Sequence, residues 1–208
     1  MKTFKALESS RSDNGNKLSI VEKSIDDLPE GDILVKVNYS SLNYKDALSA
    51  SGAPGVTRNY PHTPGIDAAG VIAESSDNSF KEGDSVIVTG YDLGMDTAGG
   101  FGEYIRVPAS WVIQLPKGLS ERDSMALGTA GLTAGLSVQA LNDHNSNEGF
   151  EGSNIVVTGA TGGVGSIAVM LLSKLGASVT AVTGKDAQKE LLQNLGASEV
   201  ISRDELTE

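Results

Sequence analysis

Val157-Thr158-Gly159-Ala160-Thr161-Gly162-Gly163-Val164-Gly165 is a glycine-rich turn set between an apolar strand and an amphipathic helix. Upstream, Asn154–Thr158 carries Ile155, Val156 and Val157 in a row and reads as a short buried strand. Downstream, Val164, Ile167, Ala168, Leu171 and Leu175 recur at helical spacing until Gly176 stops the helix. Glycines at 162, 163 and 165 let a backbone approach a pyrophosphate closely, and the first-turn amides with the positive helix end favour its charge. The spacing Ala160-x-Gly162-x-x-Gly165 is a variant of the dinucleotide fingerprint with alanine at its first position, and its strand and helix flanks give it force. The bland alternative is a turn that only joins the two elements. Thr161, Gly162, Gly163, Val164 and Gly165 are the candidate phosphate-binding residues.

The next segment decides which nucleotide is read. Ser178 to Val182 forms a second apolar strand, and Thr183-Gly184-Lys185-Asp186 follows where a dinucleotide fold meets the adenosine ribose. A binder of the non-phosphorylated cofactor usually places Asp or Glu at that strand tip; here the tip is Thr183, with a cation two residues later. NADPH is therefore the expected cofactor, with Thr183, Gly184 and Lys185 as contacts and Lys185 opposite the 2′-phosphate. Against this, Lys185 can be an exposed lysine neutralised by Asp186, and Asp186 can cap the helix through Leu191, Leu192 and Leu195. Glu199-Val200-Ile201 starts a third strand, and Arg203 after it is either a contact to the adenine or its ribose phosphate or a plain surface arginine.

Composition is that of an ordinary globular protein: 39% of the 208 residues are hydrophobic and 21% charged. No stretch is long enough to cross a bilayer, and no apolar signal core follows Met1, so no membrane partner and a cytoplasmic location are expected. A formal charge of −11 repels phosphate backbones, which argues against a nucleic-acid partner. With no cysteine and only His62 and His144, thiol catalysis and a zinc site of the usual kind are excluded, and a metal-free chemistry is expected. Asn142 to Gly152 reads as a polar connector. The sequence ends at Glu208, just after the third strand of a fold that normally has about six. The remaining strands are therefore expected outside it, and the 208-residue chain alone is expected to bind NADPH poorly and to expose a sheet edge open to pairing.

Residues 1 to about 120 alternate short strands with turn residues, a mostly-β pattern. In Asp32–Ser41, Val35, Val37 and Tyr39 are expected on one face and Lys36 and Asn38 on the other; Ser85–Thr89 and Tyr104–Val107 alternate similarly. Ser120-Glu121-Arg122-Asp123 looks like a capping box that opens a helix through Met125, Ala126 and Leu127, and Thr129 to Leu141 continues as a second, small-residue helix.

Four ordered motifs carry a resemblance that spans nearly the whole chain: Ser40-Ser41-Leu42-Asn43-Tyr44-Lys45-Asp46-Ala47, Pro64-Gly65-Ile66-Asp67-Ala68-Ala69-Gly70, Gly128-Thr129-Ala130-Gly131-Leu132-Thr133-Ala134 and the Val157–Gly165 turn. The chain resembles the medium-chain dehydrogenase/reductase superfamily, within it the acrylyl-CoA reductase and quinone oxidoreductase (YhdH/YhfP-type) branch. The resemblance implies an α/β protein with a GroES-like, mostly-β N-terminal domain (1–120), interdomain helices and a connector (121–153), and the first half of a doubly wound, parallel-sheet Rossmann domain for NADP (154–208). It further implies a full-length homodimer.

The family implies hydride transfer from NADPH to an electron-poor C=C bond, in acrylyl-CoA or a similar short enoyl thioester, or alternatively in a quinone or enone. The protein's tasks are then to hold the reactants in reacting geometry and to stabilise the developing enolate. Where zinc-containing relatives have Gly-His-Glu, this chain has Gly65-Ile66-Asp67, so no metal is implied. The resemblance makes Tyr44 a cofactor contact and catalytic candidate, against the alternative of a tyrosine packed at the domain boundary. Asn43 can hydrogen-bond an enolate oxygen or cap the following helix. Asp67 can hold Lys45 or Arg58, or be a buried carboxylate satisfied by backbone amides. Thr129 is a candidate cofactor contact. Asp46 is expected to pair with Lys45, and His62 reads as a loop residue. Lys45, Arg58 and Lys81 are candidates for coenzyme A phosphates. A reading of another class, a catalytically idle NADPH-binding or interaction protein, stays open.

Overall fold

The computed structural model describes residues 2–146 and 148–206, and the chain divides into two compact units, Met1–Thr129 and Ala130–Glu208. The first unit opens with a long hairpin, β1 (Thr3–Ser12) and β2 (Gly15–Ser24), in continuous antiparallel register. A five-stranded antiparallel sheet follows, made of β3 (Ile33–Tyr39), β4 (Asp67–Ser75), β5 (Ser85–Thr89), β6 (Tyr104–Val107) and β7 (Val112–Gln114) in the order β6-β3-β4-β5-β7. The hairpin is laced to the rest of the unit by backbone bonds: Leu7 N–H donates to Phe101 O (2.9 Å), Glu103 N–H to Lys5 O (3.0 Å) and Ser9 N–H to His62 O (2.8 Å).

In β3 the expected alternation gives way. Ile33, Leu34 and Val35 are all fully buried, whereas Tyr39 is 46% exposed. Two clusters account for this: Ile33 and Val35 pack with Ala68, Val86 and Ile105, while Leu34 packs with Phe4, Ala6, Ile25 and Tyr104 on the hairpin side. A strand covered on both faces needs no polar side, so period-two patterning is lost.

An eight-residue helix, α1 (Tyr44–Ser51), lies between β3 and β4 in sequence. The long α2 (Glu121–His144) begins on the expected cap, where Asp123 N–H donates to Ser120 Oγ at 3.0 Å and Ser120 Oγ donates to the Asp123 carboxylate at 2.7 Å. It breaks at Gly128, whose φ of 49° and ψ of −153° are not helical. The unit boundary at Thr129/Ala130 therefore falls inside the helical segment.

The second unit contains β8 (Asn154–Thr158), α3 (Gly163–Lys174), β9 (Ser178–Val182), α4 (Lys189–Asn194) and β10 (Glu199–Ile201), with the strands parallel in the order β10-β9-β8. Val157, Val169, Leu172, Val179 and Leu192 form its core with Val138 and Phe150. The buried row expected at 155–157 reduces to Val157; Val156 is 51% exposed, because it points to the face of the sheet opposite the cluster that takes Ile155 and Val157. The buried face of α3 is Gly165, Ile167, Val169 and Leu172, and Val164 and Leu175 point outward. No described helix is long and apolar enough to cross a membrane.

Leu34→Ala removes the side chain that joins the hairpin to the sheet. Core truncations of this type cost about 2–5 kcal/mol, so a lowered urea midpoint is expected, with Lys36→Ala on the same strand as the near-neutral control.

Candidate functional site

The glycine-rich turn sits where the sequence predicts it, between β8 and α3, with Gly162 at the N-cap of α3. The first amides of a helix have no intrahelical acceptor, so Gly163, Val164 and Gly165 present N–H groups at the turn. Gly162 N–H donates back to Gly159 O at 2.9 Å and tightens the turn. A Cβ at Gly165 would lie 2.4 Å from Gly159 O, so only glycine allows α3 to pack this close to the end of β8. Thr161, Thr183, Gly184, Lys185, Ser202 and Arg203 line a groove of about 500 Å³ beside this turn.

Thr183 is 5% exposed; its N–H donates to Ile201 O at 3.0 Å, and its hydroxyl accepts the N–H of Lys185 at 3.1 Å. The strand tip thus presents no carboxylate, and the threonine folds the chain back so that Lys185 lies on the groove. Asp186, also on the groove, pairs with Lys189 at 3.3 Å and does not cap α4. The adjacent-residue neutralisation weighed for Lys185 is therefore replaced by an i, i+3 pair that leaves Lys185 out. Arg203 is exposed on the groove wall. Ser202 lines the groove too; nothing in its sequence context distinguishes it from any residue after a strand.

In the first unit, Asp67 opens β4 and is fully buried. Thr129 N–H donates to Asp67 Oδ2 at 2.9 Å, the Thr129 hydroxyl to Oδ1 at 2.7 Å and Asn43 Nδ2 to Oδ2 at 3.0 Å; the Ser41 hydroxyl completes the set. Asn43 Nδ2 also donates to Ser41 Oγ at 2.8 Å. The Ser41 and Asp67 oxygens touch each other, so the same side of the Asn43 amide nitrogen faces both. In this arrangement the Asn43 side chain holds Asp67. Its own N–H donates to Asp46 at 2.7 Å, and it is the N-cap residue of α1. Ser41 is the partner that sequence reasoning missed, and its only signal was its place beside Asn43 in the quoted motif.

Asp67 therefore binds hydroxyls and amides, not Lys45 or Arg58. Arg58 pairs with Asp96 at 3.6 Å. Asp46, 3% exposed, accepts the backbone N–H of Asn43 and, at 2.8 Å, of Ile66, and makes no ion pair with Lys45 among the described residues. Burial pushes its carboxyl above the usual range, against the backbone hydrogen bonds that lower it. Tyr44, the first residue of α1, is 81% exposed, so its phenol is free to meet a ligand. His62 is buried, and desolvation depresses its imidazole against the hydrogen bond it makes to the Gly94 backbone, which raises it. Among the described residues no three His, Asp or Glu side chains converge on a metal-sized site.

Comparison with known proteins agrees with this layout. Residues 29–117 match the alcohol dehydrogenase GroES-like domain. The chain is 44% identical over 207 residues to the acrylyl-CoA reductase AcuI of Ruegeria pomeroyi, covering 99% of this chain and 62% of that protein. It is 33% identical over 188 residues to the chloroplastic quinone-oxidoreductase QR1 of Triphysaria versicolor, covering 88% of this chain and 56% of that protein. Among solved structures, the yhdH oxidoreductase of Salmonella enterica in complex with NADP aligns with a TM-score of 0.92 at 44% identity, covering 97% of this chain and 61% of that one. The yhfP protein of Bacillus subtilis with NAD bound aligns with a TM-score of 0.92 at 43% identity, covering 100% of this chain and 63% of that one. The chain thus spans about 60% of the length of such relatives.

Asp67→Ala strands three buried or part-buried donor side chains at once. Unsatisfied groups cost about 1–3 kcal/mol each, so chemical denaturation is expected to show a loss on the order of 3 kcal/mol.

Proposed function

We propose, because the chain belongs to the medium-chain dehydrogenase/reductase superfamily, that the whole protein is an NADPH-dependent, zinc-independent oxidoreductase acting on an activated C=C bond. The substrate is acrylyl-CoA or a similar short enoyl thioester. The observation that carries the reading is the groove at Thr183-Gly184-Lys185, where a strand tip without a carboxylate stands beside a glycine turn with its amides presented. That combination suits a nucleotide bearing a 2′-phosphate: an acid at the tip would repel it, and Lys185 and Arg203 are cations on the wall. The 44% identity to an acrylyl-CoA reductase supports the choice of substrate class.

The bound nicotinamide supplies the hydride. The chain's own residues supply placement. The turn and Thr161 to Gly165 hold the diphosphate; Thr183, Gly184 and Lys185 hold the phosphorylated ribose, with Arg203 beside the adenosine. On the first unit, Tyr44 contacts cofactor and substrate through its exposed hydroxyl, which can donate to the enolate oxygen or to a proton-bearing water. Asp67 and Asn43 act as positioning residues: their hydrogen bonds fix the start of α1 and with it Tyr44. Thr129 is tied to the same carboxylate, and any cofactor contact it makes is from that tethered position. The absence of zinc from the reaction rests on the residues present: Ile66 has no ligand atom, and the Asp67 oxygens already accept from N–H and O–H donors.

A quinone or enone reductase is the second reading, favoured by the identity to a quinone oxidoreductase. A non-catalytic NADPH-binding protein is the third. The proposal expects a homodimer in the cytoplasm with small-molecule substrates.

NADPH oxidation by the whole protein separates these readings. The thioester reading expects kcat/KM for acrylyl-CoA well above that for quinones and a fall of about tenfold or more in kcat for Tyr44→Phe. Comparable weak rates on both substrates would sink the thioester assignment, and saturable NADPH binding without oxidation would select the idle binder. Lys185→Ala should raise the KM for NADPH about tenfold, a loss of one charge-assisted contact, with the KM for NADH little changed; equal losses for both nucleotides would remove the 2′-phosphate role.

A further inference from the structure

The first unit carries a second groove, of about 480 Å³, walled by Arg11, Ser12 and Asn16 of the hairpin on one side and by the turn from Gly52 to Arg58 on the other. Its chemistry stands apart from the chain's formal charge of −11, because two arginines face one hollow. Arg11 lies over the Tyr60 ring, its guanidinium carbon 5.2 Å from the ring centre. Arg58 is steered by Asp96, which takes its backbone N–H at 3.1 Å and approaches its Nε at 3.6 Å. With 85% of the Arg58 side chain exposed, most of its fork stays available. Planar guanidinium groups placed in this way suit phosphate oxygens.

The groove lies at the C-terminal end of α1, a place where free carbonyls would ordinarily repel an anion. Here three of those carbonyls are occupied. Ala50 O accepts from Ser9 Oγ (2.7 Å), Ser49 O from the Tyr60 hydroxyl (2.7 Å), and Leu48 O from the N–H of Ala53 (2.9 Å). Ser9 Oγ in turn accepts from Asn16 Nδ2 at 2.9 Å, which fixes the hairpin wall to the helix end. Donors from three segments thus blunt the negative helix end directly beneath the two arginines.

Position supplies the substrate class. Tyr44 opens α1 and the groove closes it, so eight residues of helix at 1.5 Å each place the two about 12 Å apart. That span is within the extended length of a pantetheine arm, which separates a thioester from its phosphorylated nucleotide. A quinone has no anionic handle at that distance. We propose that the Arg11–Arg58 groove binds the phosphorylated nucleotide end of a coenzyme A thioester and so selects it over quinones. The inference rests on the reductase reading above for the acyl end only.

The test uses the whole protein with NADPH saturating, so that the nucleotide groove of the second unit is filled. Coenzyme A is titrated by calorimetry, and turnover is measured with acrylyl-CoA and with the acrylyl thioester of N-acetylcysteamine, which lacks the nucleotide. Arg11→Ala/Arg58→Ala is expected to weaken coenzyme A and to raise the KM for acrylyl-CoA, each about tenfold for two exposed charge-assisted contacts. Its kcat, and both constants for the short thioester, should stay as in wild type, and the Arg11→Lys/Arg58→Lys variant should recover part of the loss. Unchanged Kd and KM for the coenzyme A compounds, or an equal loss with the short thioester, overturns the proposal. If wild type turns over neither thioester, the reductase reading has failed and the titration alone judges the groove. Coenzyme A binding lost in the alanine variant, with NADPH binding intact, then sustains the proposal; absent or unaltered binding ends it.

Discussion

One buried carboxylate organises the first unit. Asp67 has no solvent exposure, and a polar group removed from water must be met by hydrogen-bond partners or it destabilises the fold. Its donors come from Ser41, Asn43 and Thr129, that is, from the loop before α1 and from the point where α2 breaks. Satisfying the carboxylate therefore ties β4, the α1 entrance and the α2 break together. The break itself follows from the same contact: a Cβ at Gly128 would sit 2.7 Å from Asp67 Oδ2, and the residue has positive φ, so glycine is required on both counts. Such an arrangement specifies geometry more than it stabilises, since desolvation offsets much of the hydrogen bonding. Tyr44, next to Asn43, inherits a fixed backbone while its own side chain stays in solvent.

The second unit solves its problem by another route. Among its described residues no charged side chain is buried; backbone amides at a helix start, a close-packed glycine and a threonine that folds the chain after β9 make the groove. Backbone chemistry of this kind recognises phosphate without side-chain charges. The cations Lys185 and Arg203 stand at the rim of the same groove. Asp186 is removed from competition by its pairing with Lys189.

The two units differ in how readable they were. In the second, β8, β9 and β10 and the glycine turn fall on the stretches their residues indicate, because turn, strand and helix signals are local and follow one another within a few residues. The cofactor candidates Thr161, Thr183, Gly184, Lys185 and Arg203 gather on one groove for the same reason. In the first unit, β5 and β6 were legible, yet the face of β3 was not. Its burial depends on the hairpin, and Phe4 and Tyr104 lie far from Leu34 in sequence. Likewise, Asp46 pairs with distant backbone at Ile66 in place of its neighbour Lys45, and Asp67 reaches 62 residues along the chain to Thr129.

The sequence by itself determined the class of fold, the nucleotide turn and the absence of an acid at the β9 tip, because each is written in contiguous residues whose backbone preferences act locally. Only the tertiary structure decided which donors meet Asp67, that Asn43 and Thr129 are among them, and that Arg11 and Arg58 share a hollow. Those outcomes depend on contacts between segments far apart in the chain, and the need to pair every buried polar group is settled only when all of them are in place.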